Sequence, residues 1–167
     1  MRTLLIGGAL GILMVSLAAC GDSSTSSASE QAMQRRADLY AIDQLEVKFH
    51  KATSGHDIDL MMSLWAPNAT FTTSPGQTLT GKEQIRRFWL SQSVVFQPEI
   101  HWVSDTPAYK IRATADGDLG TLYFECHYLD STTGKATAIT AADQQVARIN
   151  GRWLITDMVG GSATLSP

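Results

Sequence analysis

The sequence predicts an α+β domain in which three N-terminal helices pack on the concave face of a curved, mostly antiparallel sheet that closes a cone. Three observations carry this expectation. Apolar residues recur at helical spacing up to about Trp89, alternation takes over after Pro98, and turn signals punctuate the second half at Asp116-Gly117-Asp118, Ser131 to Gly134 and Asn150-Gly151.

Leu39, Ile42, Leu45, Phe49 and Ala52 recur at steps of three or four with charged and amide residues between them, which predicts an amphipathic helix ending near Gly55. Asp57 is placed to cap a second, shorter helix whose Ile58, Met61, Met62 and Trp65 share a face before Pro67 and Asn68 stop it. Thr70 to Thr73 read as a short strand. Thr80-Gly81-Lys82-Glu83 has capping-box spacing, and the helix behind it buries Ile85, Phe88 and Trp89. Four strands follow at about 99–113, 119–129, 137–149 and 152–159, the last two joined by Asn150-Gly151, a favourable two-residue hairpin turn.

Ahead of this domain lies a leader. Arg2 is followed by an uncharged stretch from Thr3 to Ala19, shorter than the roughly 20 residues of a membrane span and lacking a basic stop-transfer cluster. Leu17-Ala18-Ala19-Cys20 resembles the bacterial lipobox. That resemblance implies cleavage after residue 19, lipidation of Cys20 and a stable membrane anchor through several acyl chains. Gly21 stands where an aspartate retains lipoproteins of double-membrane bacteria at the inner membrane, so an outer-membrane anchor with a periplasmic domain is expected if the host has two membranes. Residues 20–31, rich in Ser, Gly, Thr and Ala, are expected to form a flexible tether, 32–160 the folded domain and 161–167 a short tail.

Composition narrows the functions. The chain carries 13 Lys plus Arg against 16 Asp plus Glu, and Arg2 leaves with the leader, so nucleic acid is not an expected partner. With Cys20 lipidated, Cys126 is the only thiol of the mature domain, which predicts no internal disulfide and a buried, inert cysteine. His50, His56, His101 and His127 are scattered without ligand spacing, so neither a metal nor another cofactor is expected.

The carriers of a family resemblance are Gly55-His56-Asp57-Ile58-Asp59, Leu64-Trp65-Ala66-Pro67-Asn68-Ala69-Thr70-Phe71, Gly81 to Trp89, Gly117-Asp118-Leu119-Gly120 and Asn150-Gly151-Arg152-Trp153-Leu154-Ile155. In this order and spacing the chain resembles the SnoaL-like superfamily, whose fold is the cone of nuclear transport factor two, over nearly all of 38–160. The resemblance implies the fold and leaves activity open, since members include cyclases, dehydratases, isomerases and non-catalytic binding domains. It also implies that a homodimer through the open sheet face is an option. Ketosteroid isomerase shares the cone, but its Tyr, Asp base and oxyanion Asp fall on Phe49, Thr73 and Gln145, which cannot perform that chemistry.

Two function classes remain. One is an envelope-anchored domain that binds a small, partly apolar molecule or a protein partner, with Tyr40, Phe49, Trp65, Phe71, Trp89 and Gln145 as expected pocket residues. The other is a cofactor-free dehydratase, isomerase or cyclase. If Gln145 faces the interior, period two brings Asp143 in as a base, with His127 or His101 as partner. On the preceding strand Leu122, Phe124, Cys126 and Tyr128 form the more natural inward row, leaving Glu125 and His127 exposed or facing a dimer partner.

Overall fold

In the computed structural model, which describes residues 23–93, 96 and 101–162, the chain runs as two helices, two strands, a third helix and then five further strands, all seven strands forming one sheet that curves around the helices. The leader, Cys20 and the last five residues lie outside the described residues.

Helix α1 spans Ser23–Ser54. Its buried stripe, Ile42, Leu45, Phe49 and Ala52, is the one the apolar spacing predicts. The stretch expected to be a flexible tether is helical from Ser23 onward, a correction with a simple cause. Once packing at Asp38 and beyond has nucleated the helix, each added residue costs no new nucleation. Residues 27–37 are nonetheless all exposed, whereas Asp38 is buried and its carboxylate meets the Arg148 guanidinium at 2.6 Å.

Helix α2, Ile58–Ser63, is capped as expected: the Asp57 side chain accepts from the Leu60 amide at 2.8 Å. Trp65 and Pro67 belong to strand β1, Trp65–Thr72, rather than to the end of that helix. Pro67 is tolerated there because the pairing of β1 with its neighbour skips between Trp65 and Thr70. Strand β2, Thr78–Thr80, turns back on β1. Helix α3, Lys82–Ser91, starts from Gly81 at φ 79°, and the residue that reaches back to the Thr80 amide is Gln84, at 3.0 Å, not Glu83.

The expected strand 99–113 is two strands. Pro107 and a 3-10 turn at Ala108–Lys110 interrupt it, leaving β3 at Trp102–Asp105 and β4 at Arg112–Asp116. Both pair with β5, Leu119–Asp130, lying end to end along its outer edge. Strand β6, Ala136–Ile149, and strand β7, Arg152–Ser162, complete the sheet. Asn150 and Gly151 both take positive φ, 50° and 75°, as a tight hairpin turn of this kind demands.

The strand order is β2-β1-β7-β6-β5-β3, with β4 also on β5, and β1–β7 is the parallel pair. Register shifts in β1–β7, β5–β6 and β6–β7 bend the sheet, and the concave side closes on α1 and α3. Gly120 is needed where α1 crosses: a Cβ there would lie 2.9 Å from Ile42 Cδ1 and collide with the Thr114 carbonyl.

Candidate functional site

The concave face encloses a cavity of about 260 Å³. Its walls come from sequence-distant elements. Phe49 of α1, Phe71 of β1, Phe88 and Trp89 of α3, Phe124 of β5 and Met158 of β7 present the apolar surface. Phe71 and Trp89 stack with centroids 5.7 Å apart and planes within 9°, while Phe49 meets Trp89 and Phe124 edge-on at 5.8 and 5.3 Å. The space persists because the strands facing these rings offer small residues, Ala141 and Ala142 on β6 and Gly160 and Gly161 on β7. At Gly160 a Cβ would stand 3.2 Å from the Phe71 ring. Exposed Ser74, Pro75 and Gln92 frame the mouth.

Cross-strand register decides which residues of β6 reach this interior. Leu122 and Phe124 point inward from β5, and their direct partners are Gln144 and Ala142, so those point inward as well. Asp143 pairs with Tyr123 and Gln145 with Thr121, which places both on the outer, exposed face. The expectation that Gln145 and Asp143 face the cone interior is therefore corrected. Period two within β6 fixes which of its residues share a face, but only pairing with the apolar row of β5 fixes which face is inward.

The other expected acid–base residues also lie elsewhere. His101 is exposed. His127 sits on the outer face of β5, four residues along from the partner of Asp143, or about 13 Å at 3.3 Å per residue. The structure brings none of the three together. Glu125, expected to be exposed or to face a dimer partner, is buried under the chain's own Ala108–Lys110 turn. It accepts from His127 at 3.0 Å, pairs with Lys110 at 3.3 Å and accepts from the Tyr123 hydroxyl at 3.2 Å. The His127 hydrogen bond, with Lys110 behind it, holds the Glu125 carboxyl below its usual range.

Of the expected pocket residues, Phe49, Phe71 and Trp89 line the cavity. Trp65 lies in the core, 1% exposed and against Phe71, and Tyr40 is 67% exposed and lines a separate pocket with Arg152 and Trp153.

The inward row expected on β5 brings two polar residues to the cavity, backed by a cluster that the sequence expectations did not include. Cys126 and Tyr128 line its β5 wall. Behind Cys126, away from the cavity, His50 Nε2 stands 3.9 Å from the sulfur and 3.1 Å from the Glu46 carboxylate, while Nδ1 meets the Ser104 hydroxyl at 2.7 Å. All four groups are buried. Burial opposes a charge on His50, but the partners Cys126 and Glu46 outweigh it and raise its pKa to about 9. Burial, with Cys126 beside it, pushes the Tyr128 phenol well above its ordinary range and keeps it a neutral donor. A faint signal existed: Glu46 and His50 are one turn apart on α1, flanking the apolar stripe.

The fold is that of solved structures described as NTF2-like. An NTF2-like protein with a cystatin-like fold from Novosphingobium aromaticivorans superposes with a TM-score of 0.68 at 14% identity, covering 87% of this chain and 92% of that one. A Pseudomonas putida NTF2-like protein of unknown function gives 0.66 at 15% identity, covering 78% and 89%. A Streptomyces avermitilis protein of the NTF2-like family, named as a dehydratase candidate, gives 0.63 at 12% identity, covering 78% and 99%. Such similarities establish the fold alone. Residues 47–154 match the SnoaL-like domain family, and the chain belongs to it. No curated protein sequence matches the chain.

Proposed function

We propose that this domain is a binding module that takes one small, largely apolar ligand into the cone, and that a lipid on Cys20 holds it at the cell envelope. One observation carries the ligand reading: a cavity of about 260 Å³ walled by stacked and edge-on aromatic rings, with small residues opposite. A dry engineered cavity of about 150 Å³ accommodates benzene, so this one has room for a substituted or bicyclic ring. Lyase or isomerase chemistry, which the name of the Streptomyces avermitilis neighbour would suggest, loses its support in the placement of Asp143, His127 and His101 outside the cavity.

Indole is the test probe. At a hundredfold excess over its dissociation constant it should stabilise the fold by about 2.7 kcal/mol, a rise of several degrees in melting temperature. Ala142→Trp, which fills the cavity from the β6 side, should abolish that rise while the circular dichroism spectrum stays native. Equal shifts in both proteins, or none in either across indole, naphthalene and alkyl phenyl ketones, would refute the reading. For the anchor, tritiated palmitate should label the native chain in bacteria and leave Cys20→Ala unlabelled; labelling of neither would remove the tether.

A further inference from the structure

The cavity wall holds a feature that a passive apolar pocket does not require. Cys126 is 3% exposed, and it faces the cavity with His50 behind it. Glu46 and Ser104 fix the imidazole from two sides, at 3.1 and 2.7 Å. The sulfur and the imidazole Nε2 stand 3.9 Å apart, near enough for a proton to pass between them, and the thiolate is the nucleophilic form of a cysteine.

The same cavity holds a donor without a partner among the described residues. Trp89 lines it at 6% exposure, and its indole N–H has no hydrogen-bond partner among the described residues. A buried donor left unpaired costs about 1–3 kcal/mol, a cost that a ligand acceptor would relieve. Aromatic walls, an unpaired donor and an imidazole-backed thiol together describe a particular ligand: an apolar ring bearing a carbonyl, with an electrophilic carbon within reach of sulfur.

We infer that Cys126, with His50 positioned behind it, captures small apolar α,β-unsaturated carbonyl compounds covalently in this cavity. This deepens the ligand-binding reading and rests on it. The sulfur lone pair forms a C–S bond to the β-carbon, and the C=C π pair moves through the α-carbon toward the carbonyl oxygen, where a buried N–H donates. The α-carbon then gains a proton, balanced by the one that left the thiol for His50. Nothing is oxidised or reduced. Cys126 is the reacting residue and His50 a positioning residue that acts through it.

The test uses the full chain carrying Cys20→Ser, so that of its two cysteines only Cys126 remains. Phenyl vinyl ketone should add once, at Cys126, by intact-mass and peptide mass spectrometry. Normalised to glutathione, its rate should exceed that of anionic 3-benzoylacrylate by about tenfold or more, because the apolar cavity rejects the carboxylate. His50→Gln should lower the rate about tenfold while indole binding persists, and the native chain's rate should be nearly flat with pH across neutrality. An isolated thiol with pKa near 8.5 would instead gain about tenfold per pH unit, which decides the matter even if His50→Gln misfolds. No adduct in the folded chain, when the urea-unfolded chain labels fully, overturns the inference. So does a rate that ignores His50 or climbs like a free thiol. Indole binding without adduct removes only this inference; loss of both removes the cavity reading too.

Discussion

Among single residues, His50 and Gly120 each give a measurable consequence. His50 is buried, yet its partners raise its pKa from about 6.5 to about 9. A raised folded-state value means that protonation favours the fold: the contribution is complete below pH 6.5 and is lost as pH climbs through 9. Urea denaturation of the native chain should therefore show stability falling by about 1–3 kcal/mol between those limits. His50→Gln should flatten that segment, and superimposable pH curves for the two proteins would contradict the assignment. At Gly120 the constraint is steric rather than electrostatic. Any Cβ meets Thr114, Ile42 and Val146, so Gly120→Ala should cost about 1–3 kcal/mol in urea midpoint experiments with an unchanged denaturant slope. A neutral result would mean that α1 can shift off the sheet at little expense.

Among the elements, α1 divides into two parts with different support. From Asp38 onward it is tied to Arg148 and packed through Ile42, Leu45, Phe49 and Ala52, whereas residues 27–37 are exposed throughout. Isolated helices shorter than about 12–15 residues are marginal in water. Backbone amides between Ser27 and Ala37 should accordingly exchange with solvent orders of magnitude faster than those of Ile42 to Ala52 in native-state hydrogen exchange. Uniform protection along α1 would require a partner surface for the first turns. The helices and the Asn150-Gly151 hairpin were legible in sequence because caps, apolar stripes and positive-φ turn residues are local signals. The break of the 99–113 segment was signalled by Pro107 and still read as continuous, because alternation on both sides suited a single strand. Strand β2, three residues long with one buried, carries too little pattern to be seen.

At the level of the molecule, the sequence by itself determined the α+β order, the helical faces and the inward row of β5, since each depends on neighbours within a few residues. It also supplied the family, through motifs spread from Gly55 to Ile155. The tertiary structure alone decided the site. Register between β5 and β6 turned Asp143 and Gln145 outward and brought Gln144 and Ala142 in, and no local signal fixes that register, because one residue of slip exchanges the two faces. The 3-10 turn at Ala108–Lys110 buried Glu125, a residue that alternation assigns to solvent. Cys126 and His50, 76 positions apart, became neighbours because α1 crosses the concave face opposite β5. Period and propensity act along the chain. Which polar groups share a cavity is fixed by how separate strands align and by where the sheet bends.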